Sequence, residues 1–417
     1  MRILKLTAKT EAMLARLREG QDRDAQGIAS AIVSDVRKRG DRALSHWTKT
    51  LDWTDLQNKG MWISKREFAA AKNRVSPRFL NAVAHAAANV RRVAEKQMPQ
   101  GWTLQVEPGV KVAQMVRPID SIGCYIPGGR FALVSTLIMT VVPAQVAGVK
   151  QIIAVCPHPN DELMATAELL GIKRVARIGG AQAVAALAYG TRLVPRVDKI
   201  FGPGNRYVTA AKQLVSCDCA IDLPAGPTEA VVLANAGDPK FIAADLLAQG
   251  EHAPDAGSYL VTTSAEFALR MQGEVVAQLK TLRGNNPAQI SMAKTGAILL
   301  APTWDAAVDF VNRFAPEHLS LPEADEATLQ RITCSGTIFV GPLSAQPFGD
   351  YASGSNHVLP TSGWARRRGG LSAADFVKCI SVQTIEATGF SRLADDVQTL
   401  ARAEGLHAHA NAIEVRR

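Results

Sequence analysis

Five of the eight histidines lie at positions 252, 318, 357, 407 and 409, and their neighbours are what make them candidates for chemistry. In "LLAQGEHAPD" Gln249 and His252 are three residues apart, roughly 60° around a helix, and so share one face. Pro254 closes that helix and leaves both side chains at its C-terminal mouth. An amide oxygen and an imidazole nitrogen in that relation can hold a metal ion. They can equally form a polar C-cap, where a histidine interacts favourably with the helix dipole. "FAPEHLSL" carries Glu317 and His318 side by side after a helix and a proline. An imidazole is a general base near neutral pH and an adjacent carboxylate can activate water, whereas a plain surface loop would give the pair no role. "FGDYASGSNHVLPTSG", residues 348–363, is dense in Gly and Ser and contains Asp350, a possible metal ligand, and His357, a possible substrate contact. A Gln/His/Asp/His set of oxygen and nitrogen donors without thiolate suits Zn²⁺ or a similar divalent ion in a site left open to substrate.

The elements that must position these residues follow from apolar periodicity. The first hundred residues read mainly as amphipathic helices, among them "DAQGIASAIVSDVRKRGDRALSHW" and "PRFLNAVAHAAANVRRVAEKQM". From about residue 119 short apolar runs alternate with helical stretches: "SIGCYI", "QIIAVC", "RVARIGG" and "DKIFGPGN", then from about 228 "EAVVLAN", "SYLVTT", "AILLAP" and "GTIFVG". This alternation predicts an α/β fold of two consecutive Rossmann-like units with parallel sheets, plus small helical N- and C-terminal segments. Ligands in such sheets bind at the carboxyl ends of strands, which turns attention to "YIPGGR", "IGGAQ" and "FGPGN" as anion cradles. None is a GxGxxG fingerprint, and α/β turns also use glycine for purely steric reasons.

Composition removes other classes. With 47% apolar and 20% charged residues the chain can bury a large core, which argues against disorder. The net charge of +9 is scattered and few aromatics interleave with it, so there is no nucleic-acid footprint. The uncharged stretch 131–149 is interrupted by Ser135, Thr136, Thr140, Pro143 and Gln145, and a buried helix fits it better than a membrane span. Six cysteines without CxxC spacing suit a reducing compartment, and a lone Cys217/Cys219 pair is a weak metal motif. With no apolar signal-peptide core near the N-terminus, a cytoplasmic location is expected.

Taken together and in order, "YIPGGR", "PAQVAGV", "GGAQAVAALAYGT", "VDKIFGPGN", "DLPAGPTE", "AQGEHAPD", "APEHL", "GDYASGSNHVLPT" and "AEGLHAHANA" closely resemble the histidinol dehydrogenase family from about residue 20 to the end. The resemblance implies an NAD-linked, zinc-containing homodimer with shared active sites that oxidises L-histidinol through L-histidinaldehyde to L-histidine. It implies Gln249, His252, Asp350 and His409 as zinc ligands that also place the substrate. His318 would be the base and Glu317 the activator of water. Thr228, His357 and Glu404 would contact substrate, and Tyr125, Gln182 and Asn205 would border NAD. It divides the chain into an N-terminal helical segment 1–22, a first α/β domain of 23–124 with 228–370 on the substrate and zinc side, a second of 125–227 on the NAD side, and a helical segment 371–417 that completes the partner subunit's site. Relatives commonly have Ser where this chain has Thr228, and the hydroxyl is kept. Phe131 and Leu133 vary among relatives and can alter the cofactor mouth. A sister enzyme acting on another small alcohol, such as a sulfonated diol, is the nearest alternative. A metal-dependent hydrolase or lyase and a silent binding protein are more distant ones, disfavoured by the intact Glu317 and His318.

In the tail, "ARAEGLHAHANAIEVRR", His407 and His409 lie roughly 160° apart on a helix and cannot share one ion. By the same count Glu404 is roughly 140° from His409 on a single helix, unless Gly405 relaxes it. The resemblance assigns His409 to the metal, Glu404 to the substrate and His407 to solvent.

Overall fold

The computed structural model describes residues 1–18, 23–128, 132–224, 226–323 and 326–417. Its strands in chain order are β1 (Arg2–Lys5), β2 (Trp102–Glu107), β3 (Val110–Pro118), β4 (Ser121–Tyr125), β5 (Gln151–Val155), β6 (Val175–Ala176) and β7 (Lys199–Phe201). There follow β8 (Ala220–Ile221), β9 (Glu229–Leu233), β10 (Gly257–Thr262), β11 (Ala297–Leu300), β12 (His318–Leu321), β13 (Thr337–Val340) and β14 (Val377–Ile385).

Two parallel sheets form, as the alternating pattern predicts. One has the order β6-β5-β4-β7-β8, the other β1-β11-β10-β9-β12-β13. Counted within its own run of strands, each sheet reads third, second, first, fourth, fifth, which is the Rossmann order without its sixth strand. The order reverses beside the first strand, between β4 and β7 in one sheet and between β9 and β12 in the other, and this opens a crevice there.

Several expectations are corrected. Residues 1–22 are not only helical: β1 pairs in parallel with β11, Arg2 opposite Ala297 to Lys5 opposite Leu300, before the helix Ala8–Arg18. Four residues suffice there because an edge strand needs one neighbour. The helices Arg23–Arg39 and Asp41–Leu51 do not join 228–370. Ala29, Ile32, Val36 and Leu44 share a core with Val184, Leu187, Val208 and Ala211 of the other unit. A boundary at 124/125 would cut β4, whose whole length Ser121–Tyr125 is paired with β5. The segment 371–417 is not only helical: after a short 3-10 turn, Ala373–Phe376, it contains β14, which forms an antiparallel sheet with β3 and β2. That third sheet is absent from the periodicity reading.

The uncharged stretch is a buried helix, Val134–Ala147, with Leu137, Met139, Val141, Val142 and Ala144 fully enclosed between the five-stranded sheet and the helix Pro77–Gln97. Each large apolar side chain so buried contributes about 1.5–3 kcal/mol. Among the described residues no helix is long and apolar enough to cross a membrane.

Candidate active site

The crevice of the five-stranded sheet is built from two of the glycine turns. Tyr125 ends β4, and β7 runs into Gly202 and Asn205. Gly202 has φ +112°, and a Cβ there would lie 2.1 Å from the Tyr125 carbonyl oxygen, so only glycine fits. Both of its backbone groups are clamped from within. Gly202 N–H donates to Asp222 (2.7 Å), and Lys212 Nζ donates to its carbonyl (2.8 Å) and forms a buried ion pair with the same aspartate. Asn205 then caps the helix Arg206–Val215, accepting from Tyr207 N and Val208 N, and is exposed at the helix N-terminus, where an anionic group is favoured.

The other two expected cofactor residues are deeper. Tyr125 and Gln182 are buried, and the Tyr125 hydroxyl accepts from Gly180 N (3.1 Å). Burial pushes the phenol up, so it stays protonated. Gln182 Nε2 and Gly179 N both donate to Asp52 (3.0 and 3.1 Å), a buried acid at the end of the helix Asp41–Leu51 that sequence reasoning missed. Burial raises the Asp52 carboxyl, against the pull of those donors. Gln182 Oε1, which lies against Gly180, is buried without a hydrogen-bond partner among the described residues. Leu133 is exposed beside the turn, while Phe131 and residues 129–130 of "YIPGGR" lie outside the described residues.

The chemistry-bearing residues gather elsewhere, at the amino ends of the central strands of the six-stranded sheet. Glu317 is not in a surface loop. Pro316 and Glu317 follow the left-handed Ala315 (φ +50°), and His318 opens β12, a central strand that the periodicity reading leaves out. Glu317 and His318 are 6% and 3% exposed. Glu317 Oε2 accepts from the Thr228 hydroxyl (2.5 Å) and from Glu229 N (2.9 Å). Thr228 Oγ1 in turn accepts from Gln249 Nε2 (2.7 Å), so the Thr228 hydroxyl links Gln249 to Glu317.

His318 Nδ1 faces the Glu229 carbonyl (3.3 Å), which can only accept, so Nδ1 keeps its proton in either charge state and Nε2 is the nitrogen that gains or loses one. Nε2 is buried without a hydrogen bond, 3.8 Å from Asp350 Oδ1. Burial disfavours a charged imidazole, but the Glu317 and Asp350 carboxylates and the Glu229 carbonyl outweigh it, and His318 is pushed up to about 9. Asp350, on the short helix Gln346–Tyr351, is held below the usual carboxylate range. Burial pulls it up, and His318, His357 and His252 more than cancel that.

Gln249 lies in the last turn of the helix Pro239–Gly250 and His252 two residues beyond it, so they flank a helix end rather than share one face. His252 Nδ1 donates to the Ala248 carbonyl (3.1 Å), which fixes the tautomer and leaves Nε2 bare at the surface. Gln249 Oε1 takes no protein hydrogen bond among the described residues. A bare imidazole nitrogen, a bare amide oxygen and a carboxylate therefore remain, a donor set that fits Zn²⁺.

His357 bridges the two units. Nδ1 donates to the Asp350 carbonyl (2.9 Å) and Nε2 accepts from Thr136 Oγ1 (3.0 Å), on the helix that follows β4. Burial lowers its pKa and agrees with this neutral form. Thr136, noted in the sequence only as a break in an apolar run, is thus part of the site.

The tail stands apart. Glu404, His407 and His409 are exposed, and among the described residues no hydrogen bond or ion pair joins them to Gln249, His252, Asp350 or His318. Among the described residues no three His, Cys, Asp or Glu side chains converge as a metal cluster. The helix Ala387–Ala403 ends at Glu404, Gly405 has φ +74°, and a second helix, His407–Glu414, begins. Glu404 and His409 therefore do not share a helix, and the angle expected between them does not apply. Gln398 ties the two helices together, donating to the Ala410 carbonyl and to Glu414 (3.2 and 2.6 Å).

A family profile described as histidinol dehydrogenase matches residues 16–417. The histidinol dehydrogenase of Methanothermobacter thermautotrophicus is 44% identical over 400 residues, covering 94% of this chain and 93% of that one. That of Methanosarcina barkeri is 42% identical, covering 99% and 97%. The solved histidinol dehydrogenase of Elizabethkingia anophelis superposes with a TM-score of 0.94 at 36% identity, over 100% of this chain and 98% of that one. The chain belongs to the histidinol dehydrogenase family of NAD-dependent oxidoreductases.

Proposed function

We propose that Glu317 and His318 carry out the oxidation of L-histidinol through L-histidinaldehyde to L-histidine, with a site completed by the tail of a second subunit. The observation that carries this is the double hold exerted by the Glu229 backbone, its N–H on the Glu317 carboxylate and its carbonyl facing His318 Nδ1. That hold leaves His318 Nε2, in the neutral form of the ring, as the nitrogen that takes the substrate hydroxyl proton while the carbinol hydrogen departs as hydride. Bound NAD⁺ supplies the hydride acceptor, once in each of the two oxidations. Glu317 Oε1, free of protein hydrogen bonds among the described residues, then takes a proton from the water that adds to the aldehyde. His318 takes the hydroxyl proton of the resulting hydrate. The sum is one alcohol, one water and two NAD⁺ giving one carboxylate, two NADH and three protons.

Gln249, His252 and Asp350 would hold Zn²⁺ together with His409 of the partner subunit, and Glu404 of the partner subunit and His357 would contact substrate. Zn²⁺ held there would supply a fixed positive charge that helps orient the substrate. Asn205 at its helix N-terminus, with Tyr125 and Gln182 behind the glycine turns, would border NAD. The dimer is supported by apolar surface in the right places. Phe348 and Tyr351 on either side of Asp350 are 58% and 61% exposed, and the tail exposes Leu400 and Leu406. The six cysteines are free, which suits a reducing cytoplasm.

Replacing His318 by Asn should lower turnover by roughly 10²–10⁴ while NAD⁺ and histidinol still bind by calorimetry. Glu317→Gln should cut the NADH yield from two per histidinol toward one. Normal turnover in His318→Asn overturns the assignment.

A further inference from the structure

We propose that Arg18 is a positioning residue for the Glu317–His318 pair, acting from the end of the N-terminal helix Ala8–Arg18 through the Glu229 carboxylate and the carbonyls of Phe314 and Ala315. The proposal rests on the assignment of that pair as catalytic.

The guanidinium reaches across 211 residues of sequence to grip Glu229 with two parallel bonds. Nε donates to Oε2 at 2.7 Å and Nη2 to Oε1. Nη1 donates to the Phe314 carbonyl (2.6 Å), Nη2 also approaches the Ala315 carbonyl (3.4 Å), and the guanidinium lies 3.7 Å over the Phe314 ring. Phe314 and Ala315 lead directly into Pro316, Glu317 and His318. One planar group thus fixes the first residue of β9 and the approach to β12 relative to each other. That relation decides whether the Glu229 backbone can hold Glu317 on one side and His318 on the other. The Glu229 carboxylate also accepts from Ser362 N (3.2 Å), and Ser362 Oγ donates to the Arg18 carbonyl (3.3 Å), which ties in the loop that carries His357.

The side chains of Arg18 and Glu229 are 13% and 3% exposed, and no step of the proposed reaction uses them. A buried ion pair is seldom the most stable way to fill space, since apolar side chains of the same volume do at least as well; what it supplies is a fixed geometry. The fork of five N–H donors, spent here on two carboxylate oxygens and two carbonyls, is something that lysine cannot reproduce. Neither side chain bonds to Gln249, His252 or Asp350, so substrate and metal donors should be left in place when the brace is lost.

The test uses the full chain with zinc, NAD⁺ and histidinol. Arg18→Met should lower kcat by about 10²-fold, the scale of a misplacement near 1 Å, with KM for both substrates within about threefold. Arg18→Lys should recover only a small part, and added guanidinium should raise the rate of Arg18→Ala but not that of His318→Asn. Because Arg18→Met leaves a buried carboxylate unpaired and can fold poorly, the double variant Arg18→Met/Glu229→Gln is made as well. It should regain the melting temperature and keep the low kcat. Wild-type kcat in that folded double variant overturns the brace, as does a loss in Arg18→Met that appears only in melting temperature. Activity in His318→Asn would instead overturn the catalytic assignment beneath it.

Discussion

The two parallel sheets share one strand order and, in the proposed enzyme, are used at opposite ends. In the five-stranded sheet the crevice between β4 and β7 opens at the carboxyl ends, where Asn205 presents a helix N-terminus. In the six-stranded sheet the corresponding crevice lies beyond β9 and β12, and the protein has filled it with its own groups. Glu323 accepts from Asn235 N and Ala236 N (2.9 and 2.7 Å), and Asn235 Oδ1 accepts from Thr262 Oγ1, Thr263 N and Thr263 Oγ1. The donors that would meet an anionic ligand are already satisfied by a carboxylate. The side chains proposed as reactive sit at the other end of the same strands: Glu317 just ahead of β12 and His318 opening it, with Thr228 just ahead of β9. Strand order fixes where a crevice opens; the side chains decide whether it is left free for a ligand.

Changes at four places test that contrast. Truncation after residue 400 removes Glu404 and His409 and should leave a folded protein without measurable NADH formation; full activity would detach the tail from the site. At the amino end of β9, Thr228→Val removes the hydroxyl between Gln249 and Glu317 and should cost roughly 10–10²-fold in kcat, while Thr228→Ser should stay near wild type, both read at 340 nm. At the carboxyl end of β7, Gly202→Ala must push away the carbonyl of Tyr125, the last residue of β4. It should raise KM for NAD⁺ by about tenfold with a smaller change in KM for histidinol, the reverse of a defect at Thr228. The smallest effect belongs to the filled crevice. Glu323→Gln should shift stability by about 1 kcal/mol or less in urea unfolding and leave kcat and both KM values unchanged. A change in NAD⁺ affinity there would mean that both crevices serve the cofactor.

Much of this was legible from the order of apolar runs. The alternation from residue 119 predicts both parallel sheets because a strand buried on both faces is a continuous apolar stretch, as in "QIIAVC" or "EAVVLAN". It fails where strands are short or exposed. "RILK" is a four-residue edge with charge at both ends, "HLSL" offers only two apolar residues although it is central, and β2 is exposed along most of its length. The pairing of Glu317 with His318 could be read locally because the two are adjacent. Arg18, Asp52 and Thr136 could not, because each meets the site only after more than a hundred residues of chain have folded back. The expectation that ligands gather at carboxyl ends points away from the end of the six-stranded sheet where Glu317 and His318 lie.

The hairpin made by Ala387–Ala403 and His407–Glu414 is already ordered within its own chain, locked by Gln398 and turned by Gly405. In the proposed dimer such an arm docks as a rigid body and loses little further conformational entropy on doing so. Residues 387–417 offered as a loose peptide would have to fold and dock at once. They should restore a truncated subunit far less well than a whole second chain that still presents its arm on β14.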